Sequence, residues 1–471
     1  MLRAAPDLGK LYVLVKAKDK AAAMNRLKNE IMDEDLFGCL KDMHGKSYYN
    51  FMMDKLVPVL GNVCEDDLGM DPDTTTRLAG EIDVILNSAA FTTFDGSWVW
   101  GVKNIIPLCL THSSSIYCVV GWSKYGNTDH LTYVAGQTEG VSFEKALTMG
   151  QSTSPSISAP LVDVDAEIKL ASEWNKSLQD GNRKAKKMRD LGIERAKIHG
   201  WSNSYEFTKA MGEMQIGRMT GKVPTVIVRP SIIESTYSEP FPGWIQGNRM
   251  FEPVILSYGQ GHLPCFVGEA NTIMDIVPVD MVVNAILAAV AKHGITAKPE
   301  LHVYNVTSSV ENPVALIELW EHFHDHFTLS PLLDSRGKTI RVPPPIFFTE
   351  LHSFSAYLRE KIVGKNGLQE NLLAIDPKSL SQIQRECNKI VMRSTYLAEI
   401  YKDYVCGKVR FDSGNTRKLL QNMSTQEKMD FGFDIGNINW RHYFVDLHIP
   451  SIRRRILKEP FISSPVAASR I

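Results

Sequence analysis

The sequence lacks the features of a secreted, metal-stapled or nucleic-acid-binding protein. Its seven cysteines are scattered and form no CxxC pair, so they indicate neither a disulfide framework nor a zinc site. The 52 lysines and arginines balance 53 aspartates and glutamates, which removes the electrostatic reason to expect nucleic acid as the main partner. We therefore expect an ordinary globular protein of a reducing compartment.

Long apolar runs are also absent. The longest candidate, Ile105–Leu110, is far shorter than the roughly 20 apolar residues that a membrane-spanning helix needs. The first ten residues lack the apolar core of a signal peptide. We expect an intracellular protein without a transmembrane segment, in the cytoplasm or at the surface of the endoplasmic reticulum. A plastid is the alternative if a transit peptide has been lost.

Short apolar runs alternate with helical patterns over residues 1–290. Runs that are apolar throughout are typical of parallel strands covered on both faces, and strand–helix alternation predicts a doubly wound α/β domain. Ligands of such sheets bind beyond the carboxyl ends of the strands. The predicted strands are Leu11–Val15, Leu56–Leu60, Val84–Leu86 and Val226–Val228. From about residue 290 the pattern changes, and the mostly helical Phe347–Met423 predicts a separate C-terminal domain.

Tyr205 and Lys209 are the candidate catalytic pair. They are four residues apart, so on a helix they share one face. A nearby ammonium group favours the phenolate and lowers the pKa of a tyrosine from its usual value of about 10. Such a tyrosine can give its proton to a carbonyl oxygen while hydride arrives at the carbonyl carbon. The lysine can also hold the ribose of a nicotinamide cofactor.

The four-residue spacing does not identify this pair by itself. The same spacing occurs at Tyr12/Lys16, Tyr357/Lys361 and Tyr404/Lys408. The first copy falls on a predicted strand, and the other two fall outside the α/β domain. Context favours Tyr205, because the predicted helix Tyr205–Met219 leads into the strand Thr225–Val228. That strand ends in a loop suited to lining a nicotinamide pocket.

Several segments resemble the extended short-chain dehydrogenases and, more narrowly, the alcohol-forming fatty acyl-CoA reductases of plants. In the α/β part they are Trp201–Glu213, Val228–Ile232 and Asp275–Asn284. Tyr401–Thr416 and Phe433–Arg455 resemble the C-terminal male sterility domain of that family. The resemblance implies an α/β fold with a Rossmann-type doubly wound parallel sheet and a helical C-terminal domain.

The resemblance also implies domain bounds and an activity. An NADP-binding reductase domain would occupy residues 1–300, with residues 236–275 on its substrate side. A connecting segment over 301–345 and a helical domain over 346–471 would follow. The implied reaction is the NADPH-dependent reduction of a long-chain fatty acyl-CoA to a primary alcohol through an aldehyde. The alternatives are a reductase that releases the aldehyde and a truncated, inactive relative that acts as a binding or regulatory chain.

Catalytic roles follow from the resemblance residue by residue. Tyr205 would be the general acid, with Lys209 as its electrostatic partner and ribose ligand. Thr132 would be a shifted substitute for the family's catalytic serine or threonine, and His130 is an alternative acid. The residues expected to flank the nicotinamide are Arg229, Pro230, Ser231 and Ile232.

Cofactor-binding residues are implied at three other strand ends. Lys16 stands where the family usually has an arginine facing the adenosine 2′-phosphate, and Lys18 is a second cation nearby. Cations without an acidic ribose ligand favour NADPH over NADH. Asn62 lies in the turn that usually contacts adenine. Asn87 and Ala89 belong to a small-residue turn that lets the cofactor approach the backbone.

The sequence departs from the family pattern in two places. No GxxGxxG motif occurs, and in the family a strand, a glycine turn and a helix precede the segment that resembles Leu2–Val15. The first β-α unit is therefore predicted to be missing, and with it the helix N-terminus that binds the pyrophosphate. Residues 96–131 do not resemble the family, although their number fits.

Two charged clusters lie in the C-terminal half of the sequence. His322 and His326 share a helix face but His324 does not, so no metal site is predicted. The run Arg453–Arg455 has three interpretations, which are contact with an anionic membrane, contact with the coenzyme phosphates and a solvated helix end. Any association with a membrane would be peripheral.

Overall fold

The computed structural model describes most of the chain. The described residues are 1–3, 5–88, 116–120, 139–142, 144–147, 161–178, 182–201, 203–218, 221–249, 251–296, 298–365 and 377–459. The strands are β1 (Leu11–Val15), β2 (Leu56–Leu60), β3 (Val84–Asn87), β4 (Ile116–Val120), β5 (Glu139–Ser142), β6 (Thr225–Pro230), β7 (Ile232–Glu234), β8 (Phe266–Val267), β9 (Ile273–Met274), β10 (Ile276–Pro278), β11 (Leu301–Val306), β12 (Val314–Ala315), β13 (Phe347–Phe348) and β14 (Lys408–Phe411).

Helices and strands are interspersed up to β11, and helices predominate in the chain beyond it. They are α1 (Lys20–Leu27), α2 (Gly38–His44), α3 (Tyr48–Lys55), α4 (Pro72–Glu81), α5 (Val164–Ser177), α6 (Asn182–Ile198), α7 (Ser204–Gly217), α8 (Glu252–Gly259), α9 (Val279–Thr296), α10 (Leu316–Leu329), α11 (Leu351–Lys365), α12 (Pro377–Val405), α13 (Gly414–Gln421), α14 (Thr425–Phe431), α15 (Trp440–His442) and α16 (Ile449–Ile456). A π-helical turn, Tyr443–His448, joins the last two.

Local capping explains where several helices begin. The Asp19 carboxylate accepts a hydrogen bond from the Ala22 amide (2.7 Å) ahead of α1. The Asp71 carboxylate accepts one from the Thr74 amide (2.8 Å) ahead of α4, whose first residue is Pro72. Each cap satisfies an amide that the helix itself leaves unpaired, which fixes the turn between strand and helix.

The predicted parallel sheet is present, in two pieces. Four strands lie in the order β11-β6-β4-β3, and β1 and β2 form a separate pair. All of these pairings are parallel, so the carboxyl ends of the strands lie along one edge within each piece. The four strands predicted from apolar runs all form. The third ends one residue later than predicted, and the fourth begins one residue earlier and ends two residues later.

The interruption falls between β1 and β3. A doubly wound sheet has the order 3-2-1-4-5-6, in which the first strand of the fold separates the second from the fourth. The pair β2-β1 and the run β3-β4-β6 fit the outer positions of that order. Within the described residues, no strand pairs with the free edge of β1 or of β3, and Leu86 on β3 is 41% exposed. The position of the fold's first strand, between β1 and β3, is therefore unfilled among the described residues, and the absence of the first β-α unit stays a prediction.

One hydrophobic cluster nevertheless holds the two pieces on a common face. Ile216 from the end of α7 packs with Ile227 on β6 and Val303 on β11. Leu14 on β1 and Ile85 on β3 pack against the same cluster. The two pieces therefore meet in one apolar cluster, although β1 and β3 share no strand hydrogen bonds among the described residues.

The C-terminal helices share a core with the sheet. The largest hydrophobic cluster runs from Val226 and Val228 on β6 to Ile452 on α16. Phe323 on α10 is fully buried there, and its ring lies 5.8 Å from the ring of Phe444 in an edge-to-face contact. The chain between residues 347 and 423 is mostly helical as predicted, but it also contributes β14, which pairs with β5. Among the described helices, none combines the length and apolar character needed to cross a bilayer.

We expect Phe323→Ala to lower the free energy of unfolding by about 3–5 kcal/mol, because it leaves a cavity in a core that joins the sheet to the C-terminal helices. The control is Met392→Ala on α12, where the side chain is 71% exposed and the expected change is within about 0.5 kcal/mol. Urea denaturation followed by tryptophan fluorescence measures both. Equal effects of the two substitutions would show that Phe323 is not part of such a core.

Candidate active site

The helix α7 places the predicted catalytic pair. Asn203 caps its start, where the side-chain oxygen accepts a hydrogen bond from the Glu206 amide (2.9 Å). From this start, Tyr205 and Lys209 lie one turn apart on the same face. The Lys209 ammonium nitrogen is 5.8 Å from the centre of the Tyr205 ring, and the tyrosine is buried. The structure therefore brings together the two side chains that the sequence singled out.

Lys209 is the unusual member of the pair. Its side chain is half-buried, and burial lowers the pKa of its ammonium group from 10.5 to about 8. Among the described residues it has neither a carboxylate partner nor a hydrogen-bond partner. A lysine held in this way is charged at neutral pH without being neutralised, so its charge is available to a phenolate or to a ligand.

The other Tyr-Lys copies show that environment distinguishes the pair. On α11, the Lys361 ammonium lies 5.0 Å from the centre of the Tyr357 ring, much as in the candidate pair. Lys361 is exposed, however, and pairs with Glu360 at 3.3 Å. Tyr12 lies on β1, as predicted, and its hydroxyl donates to Glu81. Helical spacing thus produces the contact readily, and the copy on α7 differs from the copy on α11 because its lysine is half-buried rather than exposed.

The third copy has a different role. Tyr404 is near the end of α12, while its sequence partner Lys408 already begins β14. The Tyr404 hydroxyl donates to the Glu206 carboxylate (3.2 Å) and accepts from the Asn203 side-chain amide (3.2 Å). The C-terminal helices therefore contact the first turn of α7 next to Tyr205. The spacing pattern drew attention to Tyr404 without indicating this contact.

Arg229 anchors the same helix to the sheet. Its guanidinium is fully buried and pairs with the Glu213 carboxylate, which lies two turns beyond Tyr205 on α7. The Nε–Oε2 distance is 3.2 Å, and Nη2 also donates to the carbonyl of Lys145 (2.8 Å). The Arg229 side chain therefore serves the packing of α7 on β6. Sequence analysis placed this residue beside the nicotinamide and did not identify Glu213.

The loop beyond β6 is fixed by backbone and serine contacts. Pro230 is the last residue of β6, and the Ser231 amide donates to the Val306 carbonyl (3.0 Å) of β11. The Ile232 amide, at the start of β7, donates to the Asp275 carbonyl (3.1 Å). Burial raises the pKa of Asp275. This strand end is thus a rigid part of the carboxyl edge, as a cofactor-lining loop requires.

The predicted adenosine-side residues also lie at strand ends. Lys16 follows β1 and is exposed, and it has no ion-pair partner among the described residues. Lys18 is exposed, with its ammonium 4.0 Å from the Asp19 carboxylate. Asn62 follows β2 and caps its own turn, since its side-chain oxygen accepts from the Cys64 amide (3.1 Å). Asn87 is the buried last residue of β3.

Some predicted residues lie outside the described part of the chain. These are Thr132, His130 and Ala89, together with most of the segment 96–131. Their predicted roles therefore stay predictions.

The charged clusters of the C-terminal half make contacts within the protein. Arg453 is buried, and its guanidinium donates to the Ser330 hydroxyl (2.9 Å) and lies 3.1 Å from the His326 ring. Arg455 donates to Asp35 (2.7 Å). Two members of the arginine run therefore make contacts within the protein, and contact of this run with a membrane or with the coenzyme phosphates stays a prediction. The His324 ring instead contacts the Tyr258 hydroxyl (3.0 Å), so the histidines do not converge.

We expect Glu213→Gln to lower the free energy of unfolding by about 3–5 kcal/mol, because it leaves the buried Arg229 charge without a counter-ion. Glu30→Gln is the matched control, since it removes a carboxylate from the exposed pair with Arg26 (2.7 Å) and should change stability little. Thermal and urea denaturation compare the two variants. A Glu213 variant as stable as its control would contradict the anchoring role.

The chain is similar to known proteins over most of its length. Residues 1–286 and 376–459 each match a family described as "Male sterility protein". The chain is 42% identical to "Fatty acyl-CoA reductase 2, chloroplastic" of Arabidopsis thaliana, covering 97% of this chain and 75% of the relative. It is 33% identical to "Alcohol-forming fatty acyl-CoA reductase" of Simmondsia chinensis, covering 97% and 93% of the two chains.

Among solved structures, the terminal R domain of the myxalamid biosynthetic pathway superposes with a TM-score of 0.55. It is 14% identical and covers 97% of this chain and 86% of the other, so it supports the fold alone. The family match over the sheet domain agrees with the parallel sheet and identifies an NAD(P)-binding domain. Family, fold and the Tyr205–Lys209 pair converge on one conclusion, and this chain belongs to the plant fatty acyl-CoA reductase family.

Proposed function

We propose that this chain reduces a long-chain fatty acyl-CoA to a primary alcohol through an aldehyde, with NADPH as reductant. The observation that carries the proposal is the half-buried Lys209 beside the buried Tyr205, on a helix anchored to the central strand β6. The near full-length similarity to fatty acyl-CoA reductases supplies the substrate class. An enzyme is thereby favoured over a non-catalytic relative.

Tyr205 and Lys209 would act on the oxygen of the substrate. When the aldehyde is reduced, negative charge develops on that oxygen, and the Tyr205 hydroxyl donates a proton to it. The Lys209 ammonium stabilises the phenolate that remains, because a cation close to a phenolate favours the ionised form. In the first reduction the CoA thiolate is the leaving group. There the same pair stabilises charge on the carbonyl oxygen without needing to transfer a proton.

The residues at the carboxyl edge fit an NADPH molecule in part. Each of the two reductions would consume one NADPH, which supplies the hydride when bound. Lys209 has a charge free to hold the ribose hydroxyls, and Ser231 follows a fixed strand end at the nicotinamide position. Asn87 would hold the backbone turn near the middle of the cofactor. The described residues offer no glycine-rich turn for the diphosphate, in agreement with the absence of GxxGxxG from the sequence.

Lys16 and Lys18 support NADPH over NADH. Both are exposed near the carboxyl end of β1, where the adenosine ribose of a doubly wound domain binds. A cation there can contact the 2′-phosphate, whereas NADH recognition uses an acidic side chain on the ribose hydroxyls. Lys16 has no competing ion pair among the residues described, which leaves it available for this contact.

We expect Tyr205→Phe to reduce acyl-CoA-dependent NADPH oxidation by at least about 100-fold, because it removes the acid and leaves the ring in place. The matched control is Tyr357→Phe, which removes the hydroxyl from the exposed copy of the same Tyr-Lys geometry and should leave the rate unchanged. Absorbance at the reduced nicotinamide band measures the rate, and chromatography identifies the product. Normal turnover by the Tyr205 variant would overturn the assignment.

Binding of NADPH separates the enzyme from its inactive alternative. A fluorescence titration of the full chain should show saturable binding that Lys16→Ala weakens, with a smaller effect on NADH. If the wild-type chain binds no NADPH, the reductase proposal fails irrespective of the acyl substrate used.

The low pKa of Lys209 predicts an alkaline limit to activity. The catalytic form needs the ammonium, so kcat/KM should be constant below about pH 8 and fall as pH rises through that value. An ordinary lysine would keep its charge to about pH 10. A pH profile of kcat/KM between pH 6 and 10 measures the limit. A profile that stays flat to pH 10 would contradict the role of Lys209.

A further inference from the structure

Three ligand-type side chains meet inside the protein away from the Tyr-Lys pair. Glu234 ends β7, Glu252 begins α8, and His448 ends the π-helical turn before α16. All three are buried, and one carboxylate oxygen or ring nitrogen from each lies within 4.8 Å of the others. The group joins the sheet domain to the C-terminal helices, and sequence analysis did not find it because 214 positions separate its outermost members in numbering (448 minus 234).

Two atoms of the group have no hydrogen-bond partner among the described residues. They are the Oε2 oxygen of Glu234 and the Nε2 nitrogen of His448. The distance between these two atoms is 3.5 Å. Two ligands bound at about 2.1 Å to one tetrahedral ion lie about 3.4 Å apart. The spacing therefore suits two ligands of a shared cation, and both atoms are otherwise costly to bury.

Neighbouring groups orient the three side chains. The Nδ1 nitrogen of His448 is 2.9 Å from the Ser235 hydroxyl, which leaves Nε2 facing the carboxylates. The Ser235 carbonyl accepts a hydrogen bond from the Tyr443 hydroxyl (2.6 Å), which fixes its position. Metal-binding histidines are commonly held by such a contact on their second ring nitrogen.

The carboxylates are held from the protein backbone. An oxygen of Glu234 accepts from the Phe251 amide at 3.4 Å, and an oxygen of Glu252 accepts from the Arg249 amide at 3.0 Å. Each interaction uses one oxygen of a carboxylate that has two. For Glu234 this leaves Oε2, which lies 3.5 Å from the Nε2 nitrogen of His448. An oxygen of Glu252 lies within 4.8 Å of the ligand atoms of the other two residues.

The charge of the group also needs a counter-ion or protons. Burial lowers the pKa of His448 to about 3, so its ring is neutral and presents a lone pair. Burial and the neighbouring Glu252 carboxyl raise the pKa of Glu234. Two carboxyl groups beside a neutral imidazole form a ligand set of nitrogen and oxygen donors, which suits a divalent ion of the zinc type.

We propose that Glu234, Glu252 and His448 bind one divalent metal ion of the zinc type, which fastens β7 and α8 to the C-terminal helices. The ion would neutralise the two carboxylates and use both unpartnered atoms. Its role is structural, since three ligands come from three separate elements of the shared core. The competing arrangement is a proton shared by the two carboxyl groups with no metal.

The test uses the full chain without an affinity tag. After treatment with a chelator, Zn²⁺ is titrated in competition with a chromophoric chelator, and metal content is measured by mass spectrometry after gel filtration. We expect about one equivalent of zinc and at least about 100-fold weaker binding in Glu234→Gln and in His448→Gln. His442→Gln is the control, because His442 and Asp446 form an exposed pair (2.9 Å) able to bind zinc adventitiously.

Two measurements on the unsubstituted chain keep the test independent of variant folding. Removal of the metal should lower the unfolding temperature, and stoichiometric Zn²⁺ should restore it. Replacement with Co²⁺ should give visible absorption without a thiolate charge-transfer band, which separates this site from the free cysteines. Absence of tight zinc binding would establish the proton-sharing arrangement and overturn the proposal. A thiolate band, or loss of binding in His442→Gln alone, would overturn it as well.

Discussion

The buried ion pair between Glu213 and Arg229 holds the candidate active site in place. It joins the third turn of α7 to the end of β6, and the Lys145 carbonyl completes the coordination of the guanidinium. Because α7 is rigid, fixing Glu213 also fixes Tyr205 and Lys209 on the same side of the helix. A charge pair of this kind stabilises only while both partners are present. The position of the catalytic pair therefore depends on residues that need not touch substrate.

The described strands form a discontinuous sheet, so its two pieces are held together by side-chain packing. The pair β2-β1 and the four-stranded piece share no strand hydrogen bonds among the described residues, and they meet in an apolar cluster that includes Ile216 of α7. The nicotinamide side of the proposed cofactor site lies on the four-stranded piece, and the adenosine side lies on β1. The diphosphate between them would cross the interruption. In the proposed site, the nicotinamide and the adenosine would therefore be held by different pieces of the sheet.

The hydrophobic pattern of the sequence predicted those features that depend on residues close together in the chain. The strands β1 and β2 occur at the predicted bounds, because five consecutive apolar residues followed by a turn leave few alternatives. The Tyr205–Lys209 contact was also predictable, since it requires only a helix. Arg229 was assigned to the nicotinamide by the family resemblance, and that assignment stays a prediction. Its buried ion pair with Glu213 was not predicted, because no local pattern reveals a pairing across 16 positions. The Glu234–Glu252–His448 cluster and the intramolecular contacts of Arg453 were not predicted either, because their members are far apart in sequence.

The central claim is that Lys209 is a desolvated, unneutralised ammonium beside Tyr205, and its protonation can be observed directly. The lysines can be labelled with ¹³C-methyl groups and titrated by NMR, with Lys209→Arg assigning the resonance by its disappearance. Our account predicts a midpoint near pH 8 for this lysine, while exposed lysines titrate near their ordinary value of about 10.4. A midpoint for Lys209 indistinguishable from that of the exposed lysines would contradict the account.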